Sequence, residues 1–190
     1  MIDYLKNLDL QLFSILNGKF HHPVIDKIMV TLTSTGFWRI PLIIIVVAVL
    51  IFGRKKDRIA IGFGIILLVF TNFISTGVMK PLVGRIRPCH VMEGIRLLVP
   101  CGGKYSFPSG HAANSIALAI FLSYFYRKAV IPFLIIAILV SYSRIYVGVH
   151  YPMDVLIGAF TGIIFSLSFI FIYKELLTKS EKKWFKWLKI

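Results

Sequence analysis

The sequence is poor in acidic residues and in charged residues of any kind. Only 8 of its 190 residues are Asp or Glu, against 22 Lys and Arg, which gives a formal net charge of +14. Charged residues make up 16% of the chain, below the roughly 25% usual in soluble domains, whereas 57% of the residues are hydrophobic. This composition excludes an ordinary soluble domain and predicts an integral membrane protein.

Linkers and internal repeats are also missing. No Gly/Ser-rich linker or internal repeat divides the chain, so we expect a single membrane-embedded domain over residues 1–190. Asp3 and Asp9 interrupt the N-terminal segment, and we therefore expect no cleaved signal peptide. Nucleic acid is not an expected partner despite the basic charge, because aromatic and basic residues do not alternate on a soluble face.

What the sequence does contain is a series of apolar segments that suit membrane helices. Five of them are separated by polar turns, namely residues 38–52, 59–79, 112–126, 130–149 and 155–173. A sixth segment, Val24 to Thr35, is short and holds Asp26 and Lys27, so it would have to be tilted or extended to cross. We predict an all-α bundle of five or six transmembrane helices.

Two amphipathic segments flank these spans. Residues 2–17 carry leucines at helical spacing with Lys6, Asp9 and Gln11 between them, which indicates an interfacial helix or, equally, a helix packed on the bundle. Residues 174–190 mix six lysines with aromatic residues, as in a basic helix on an anionic leaflet. The membrane bilayer is therefore the expected partner of both segments.

The basic residues also predict an orientation. The connection Arg54 to Arg58, the pair Arg127-Lys128 and the basic tail all lie on one side of the predicted bundle, which the positive-inside rule makes cytoplasmic. The loop from Lys80 to Ser109 and the turn from Arg144 to Asp154 then lie on the opposite face. We therefore expect these two segments on the outer face of a cytoplasmic-type membrane.

This outer face carries cations that the positive-inside rule does not explain. Its long loop holds one acid, Glu93, and five cations, namely Lys80, Arg85, Arg87, Arg96 and Lys104. An anionic substrate such as a phosphate would account for the first three, whereas Arg96 and Lys104 equally suit lipid headgroups.

Titratable side chains accompany these cations at predicted helix ends. Ser109 is a predicted N-cap with His111 in the first turn, where free backbone N–H groups favour an anion. Arg144, His150 and Asp154 converge at the next outer turn. Such a set suits phosphoryl transfer, in which a neutral imidazole attacks phosphorus, a carboxylate holds its tautomer, and an imidazolium protonates the departing oxygen.

These three blocks resemble the signature of the type 2 phosphatidic acid phosphatase superfamily, the lipid phosphate phosphatases. Lys80, followed after six residues by Arg87-Pro88, matches the first part, and Pro108 to His111 matches Pro-Ser-Gly-His. The third part, Ser-Arg, five residues, His, three residues, Asp, is matched from Ser143 to Asp154. No position departs from the pattern, and the resemblance extends over residues 59–173.

The resemblance implies a phosphate pocket at the outer surface, with no metal and no cofactor. The phosphate would be bound by Lys80, Arg87, Ser109, Gly110 and Arg144. His150 would form a phosphohistidine that water hydrolyses, with Asp154 orienting it and His111 acting first as acid and then as base. The substrate would be a membrane lipid phosphate, with a slight preference for lipid A 1-phosphate or undecaprenyl diphosphate over phosphatidylglycerophosphate or phosphatidate.

Other interpretations are weaker but remain open at this point. His111, His150 and Asp154 would suit zinc, but metal-assisted phosphatases cluster several carboxylates, which the outer loops lack. A lipid or anion binder without catalysis would need only the cations, a transporter would need paired broken helices, and the related vanadium haloperoxidases are soluble and larger. The remaining histidines, His21, His22 and His90, have no partner pattern.

The two cysteines of the chain, Cys89 and Cys101, fall in the same outer loop. Spacing does not determine pairing, so both a disulfide and two free thiols are compatible with the sequence.

Overall fold

Apolar runs bounded by polar turns form helices throughout the part of the chain that the computed structural model describes, residues 2–19 and 22–187. The α-helices in this part are α1 (Ile2–Gly18), α2 (Pro23–Thr33), α3 (Thr35–Phe52), α4 (Lys55–Asn72), α5 (Lys80–Val83), α6 (Pro88–Val91), α7 (Gly110–Phe125), α8 (Val130–Tyr146) and α9 (Pro152–Trp187). A π-helical segment, Phe73–Met79, joins α4 to α5. His21 and the last residues of the predicted basic tail, 188–190, lie outside the described residues.

Four helical stretches of the described chain are long and apolar enough to cross a membrane. They are Thr35–Phe52, Lys55–Val83, Arg127–Tyr146 and Pro152–Leu176, and the shorter apolar α7 lies among them. The prediction of an all-α membrane bundle is therefore confirmed. The 11-residue α2 is too short for a sixth crossing, because it extends over only about 16 Å, and it packs against α8 instead.

The N-terminal helix α1 buries two polar side chains together with an aromatic one. Asp9, Phe13 and Asn17 are buried against the bundle, whereas Leu5 and Leu8 are exposed. The amide of Asn17 donates hydrogen bonds to the carbonyl oxygens of two distant residues, 2.9 Å away on Arg96 and 2.8 Å away on Tyr146. Because lipid takes the place of water around such a bundle, the leucines that a soluble helix would bury can face outward here.

The centre of the bundle is the contact between α7 and α9, which small residues bring close together. Gly158 and Gly162 lie one turn apart on α9, facing the fully buried Ala112, Ala113 and Ala117 of α7. A Cβ atom at Gly158 would come within 2.5 Å of the Ser109 carbonyl oxygen. Membrane helices gain little from hydrophobic association, so this close approach of backbones provides their packing.

The predicted basic connections meet at the end of the bundle away from α7's N-terminus. The Lys56 ammonium lies 5.3 Å from the centre of the Tyr126 ring, and the Tyr126 hydroxyl donates a 2.6 Å hydrogen bond to Asp57. Arg127 and Lys128 follow Tyr126 directly. The loops that carry the three signature blocks occupy the other end.

Replacing Gly162 with alanine should destabilise the protein, even though alanine is the better helix former. The added Cβ would overlap the Ala113 carbonyl oxygen, and we expect the free energy of unfolding to fall by about 1–3 kcal/mol. Gly62→Ala is the matched control, because a Cβ on this helical glycine meets no atom within 4 Å. Thermal unfolding in detergent measures the effect, and equal Tm values for the two variants would contradict it.

Candidate active site

The start of α7 supplies the first wall of the site. Ser109 stands at the N-cap position as predicted, but its hydroxyl caps nothing and, among the described residues, its Oγ atom has no hydrogen-bond partner. The Ser109 backbone N–H instead donates to the Asp154 carbonyl oxygen at 2.9 Å, which ties the start of α7 to α9. The serine side chain is therefore left free for a ligand.

Lys80 and Arg87 converge on a single backbone carbonyl. The Tyr105 carbonyl oxygen accepts from Lys80 Nζ at 3.2 Å and from Arg87 Nε at 3.1 Å, and Arg87 also donates to the Cys101 carbonyl oxygen at 2.7 Å. A short antiparallel bridge between Ile86 and Tyr105 aligns the two segments. Burial lowers the pKa of Arg87, although a guanidinium stays protonated at neutral pH.

The loop that holds Arg87 is closed by a covalent bond. Cys89 and Cys101 form a disulfide across 12 residues, so of the two states compatible with the sequence the structure contains the crosslinked one. Cys101 also provides a carbonyl acceptor for Arg87, and the disulfide thereby restrains a group that positions this guanidinium.

The turn after α8 brings Arg144 and His150 together. Gly148 has a φ of +86° and a Cβ there would lie 2.6 Å from the Arg96 carbonyl oxygen, so glycine is required. The backbone N–H groups of Val149 and His150 both donate to the Arg144 carbonyl oxygen at 3.2 Å. The Arg144 guanidinium is in turn held by a hydrogen bond to the Thr33 hydroxyl.

His150 and Asp154 form a pair at the start of α9. His150 Nδ1 lies 3.5 Å from Asp154 Oδ2, too far for a hydrogen bond of normal length, and Nδ1 has no hydrogen-bond partner among the described residues. The Asp154 Oδ2 atom accepts a hydrogen bond from the Tyr151 backbone N–H at 2.9 Å. Burial lowers the pKa of His150 well below its usual value, and the nearby cations, Arg144 foremost, lower it further. Both effects favour the neutral form of the His150 imidazole.

A cavity of about 450 Å³ unites most of the predicted site. Six of the eight predicted site residues line it, namely Lys80, Arg87, Gly110, His111, Arg144 and His150. The other two are behind its surface: Asp154 is fully buried against His150, where it can orient the ring without contacting a ligand, and Ser109 is buried beside Gly110. The geometry thus brings together all three sequence blocks, while the roles of the residues stay predictions.

Unpartnered polar atoms around this cavity indicate a binding site. Within the described part of the chain, five buried atoms here lack a hydrogen-bond partner: Ser109 Oγ, His111 Nε2, Asn114 Oδ1, Arg144 Nε and His150 Nδ1. An unpaired buried polar group costs roughly 1–3 kcal/mol, so native proteins contain few of them. A bound oxyanion would supply acceptors for the donors in this group.

The partners of the cations separate two kinds of role. Lys80, Arg87 and Arg144 are held by carbonyl or hydroxyl oxygens, which leave their charge uncompensated. Arg85 instead donates to the carboxylates of Asp154 and Asp9, and Arg96 to that of Asp26. The sequence analysis grouped Arg85 with the cations that an anionic substrate would explain, and this grouping was wrong. Arg85 lies behind the site and does not line the cavity.

The sequence did not point to several residues of the site. Asn114 lines the cavity one helical turn after His111, and this spacing was the available signal. Asn72 and Thr76 reach it from α4 and the π-helical segment. Asp9 approaches from α1, and no spacing rule relates it to residues about 145 positions away.

The chain is similar in sequence to proteins of one known family. The model of the PAP2 superfamily matches residues 57–177. A lipid A 4'-phosphatase of Bacteroides thetaiotaomicron is 34% identical over 190 residues, which covers 95% of this chain and 84% of the relative. The undecaprenyl-diphosphatase BcrC of Bacillus subtilis is 32% identical over 175 residues, which covers 90% of this chain and 86% of the relative.

A solved structure shares the fold. The crystal structure of the first transmembrane PAP2 type phosphatidylglycerolphosphate phosphatase from Bacillus subtilis superposes with a TM-score of 0.75 at 24% identity. The match covers 90% of this chain and 87% of that chain. The described bundle is therefore that of a transmembrane PAP2 protein.

Alkylation will test the disulfide between Cys89 and Cys101. We expect the denatured, unreduced protein to take up no alkylating label, and the reduced protein to take up two, because the chain has two cysteines and both are in the bond. Intact-mass spectrometry of purified protein counts the labels. Equal labelling with and without reductant would rule the bond out.

Proposed function

The chain belongs to the PAP2 superfamily and is a phosphatase, and from this premise we propose that it removes a phosphate group from a bacterial envelope lipid. One observation carries the proposal: a single cavity is lined by two histidines and by three cations, none of which forms an ion pair with a carboxylate among the described residues. Such a cavity suits a doubly charged phosphate and provides groups that can transfer it.

The apolar part of the cavity supports a lipid as the substrate. Leu68 and Leu118 line the cavity and also an adjoining apolar hollow of about 210 Å³ between α3, α4 and α7. A phosphate at the cationic end would thus continue into an apolar environment. Relatives named as acting on lipid A and on undecaprenyl diphosphate make these two lipids the leading candidates, with phosphatidylglycerophosphate or phosphatidate as the alternative.

Binding is the first function of the site in this mechanism. Lys80, Arg87 and Arg144 neutralise the phosphate oxygens, and the two guanidinium groups offer the planar donor pairs that oxyanions accept. The Ser109 hydroxyl and the Gly110 backbone N–H add donors from the start of α7, where the helix dipole favours negative charge. These five groups orient phosphorus toward His150.

The chemical steps then use two imidazoles. Neutral His150 attacks phosphorus through Nε2 while the bond from phosphorus to the lipid oxygen breaks, and protonated His111 gives its proton to the departing oxygen. The Nδ1–H group of His150 donates a hydrogen bond to the Asp154 carboxylate, whose negative charge stabilises the cationic phosphohistidine. Water then attacks this intermediate, His111 takes its proton, and inorganic phosphate and free His150 result. No metal or other cofactor takes part in the proposed steps.

A non-catalytic anion binder is the candidate from a different class. It would need the three cations but not a histidine held by a buried carboxylate. The His150–Asp154 pair therefore favours catalysis.

The proposed location is the bacterial inner membrane with the site on the periplasmic face. The basic groups Lys56, Arg127 and Lys128 gather at the end of the bundle away from the cavity, which by the positive-inside rule is the cytoplasmic end. Envelope lipid phosphates would then reach the cavity from the outer leaflet.

His150→Ala should abolish phosphate release, because the attacking nitrogen is lost. We expect a fall of about 10⁴-fold or more in kcat, while lipid binding persists through the remaining cations. The measurement is phosphate release in detergent from a panel of lipid A 1- and 4'-phosphates, undecaprenyl diphosphate, phosphatidylglycerophosphate and phosphatidate.

His90→Ala is the matched control for this panel, because His90 is exposed in the same outer loop and does not line the cavity. It should turn over like the wild type, and a chelator should change neither protein. Retained turnover by His150→Ala would contradict the phosphohistidine, and strong inhibition by chelator would contradict metal independence.

The pH profile of kcat should be bell-shaped, with its acid limb displaced to lower pH. An ordinary histidine is half protonated near pH 6.5, but burial and the nearby cations lower the pKa of His150 well below that value, so its protonation should reduce activity only well below pH 6.5. Burial and the nearby cations also lower the pKa of His111, to about 3, so the alkaline limb requires that the bound phosphate dianion raise this pKa, and it arises when His111 then loses the proton it must donate. Initial rates from about pH 5 to 9 test this, and a flat profile would contradict the paired roles.

A further inference from the structure

Arg85 forms a bridge between two buried carboxylates beside the cavity. One guanidinium nitrogen lies 3.0 Å from Asp154 Oδ1, and the other lies 2.6 Å from Asp9 Oδ2. The guanidinium also stacks over the Tyr151 ring at 4.0 Å from its centre. The side chains of Asp9 and Asp154 are 2% and 0% exposed, so these ion pairs are shielded from the solvent screening that weakens surface pairs.

Asp9 is tied to α9 by a second contact. Its Oδ1 atom accepts a 2.8 Å hydrogen bond from the Met153 backbone N–H, one residue before Asp154. Asp9 thus contacts both the bridge and the first turn of the helix that carries Asp154. It comes from α1, outside the segment 57–177 that matches the family model, so the family signature does not include it.

The charge of this group explains how Asp9 can influence the reaction. Two carboxylates and one guanidinium leave a net charge of −1 next to His150. In the mechanism above, His150 becomes positive as the phosphohistidine forms, and this remaining negative charge stabilises it. Without the Asp9 charge, Arg85 would neutralise Asp154 alone, and the carboxylate would attract the imidazole less strongly.

We propose that Asp9 and Arg85 are positioning residues of the active site, which fix the orientation of Asp154 and preserve its negative charge for His150. This inference rests on the proposed phosphatase mechanism. It makes α1, which the sequence indicated only as an interfacial or packed helix, a part of the catalytic apparatus.

The test uses full-length protein in detergent with Asp9→Asn. This isosteric change keeps an oxygen for the Met153 N–H but removes the charge. We expect kcat on the best lipid of the panel to fall about 10- to 100-fold, as for other outer partners of functional histidines, with KM within about threefold of the wild type. Arg85→Lys should cause a similar loss, and the double variant should lose less than the product of the two.

Two controls distinguish this role from general support of the fold. Asp3→Asn makes the same chemical change on the same helix at an exposed side chain and should leave kcat unchanged. Asn17→Ala loosens α1 at its contacts with Arg96 and Tyr146 without touching Arg85, and it should lower Tm without a selective loss of kcat. An unchanged kcat in Asp9→Asn would overturn the proposal, as would an equal kcat loss in Asn17→Ala.

Orthovanadate binding tests this inference even if the proposed function is wrong, because the measurement does not require turnover. Vanadate mimics the five-coordinate phosphorus of the transition state, and its binding is measured by thermal shift without any substrate. If no lipid of the panel is hydrolysed by wild type, the proposed function fails. Vanadate binding about tenfold weaker in Asp9→Asn than in Asp3→Asn would still support positioning, and equal binding would overturn it.

Discussion

The close approach of α7 and α9 is the constraint on which the active site depends. Gly158 and Gly162 allow the two backbones to touch, and the Ser109 N–H then reaches the Asp154 carbonyl oxygen at 2.9 Å. The helix start that carries Ser109 and His111 is thereby held against the helix that follows His150. Larger side chains at the two glycines would separate the donors on α7 from the nucleophile, even though neither glycine touches the cavity.

The cations in and around the site differ in the groups that hold them. The protein buries more cations near the cavity than acids, but it supports the cavity cations with carbonyl and hydroxyl oxygens, which hold a guanidinium in place without neutralising it. Carboxylates are reserved for Arg85 and Arg96, which lie outside the cavity lining. An incoming phosphate therefore meets three cations that are already oriented and not yet paired, so little reorganisation is needed at binding.

The sequence predicted the parts of this arrangement that depend on local spacing. Lys80 and Arg87 follow one apolar span, Ser109 to His111 begin another, and His150 and Asp154 lie four residues apart at a third, so helix ends alone placed them on one face. The sequence could not show that Arg87 lines the cavity and Arg85 does not. The position of each arginine depends on the left-handed turn at Gly84 and on the pairing of Ile86 with Tyr105. The sequence also could not predict that Asp9 is buried. Hydrophobic periodicity shows the apolar face of α1, but it does not show which face contacts lipid.

The disulfide of the Arg87 loop has a meaning beyond its local restraint. Disulfides persist in the bacterial periplasm and are rare in the reducing cytosol, so the bond between Cys89 and Cys101 supports the proposed orientation of this end of the bundle. That support is independent of the distribution of lysine and arginine, since it depends on redox chemistry and not on charge. Redox chemistry and charge therefore support the same proposed orientation, in which the cavity faces the periplasm.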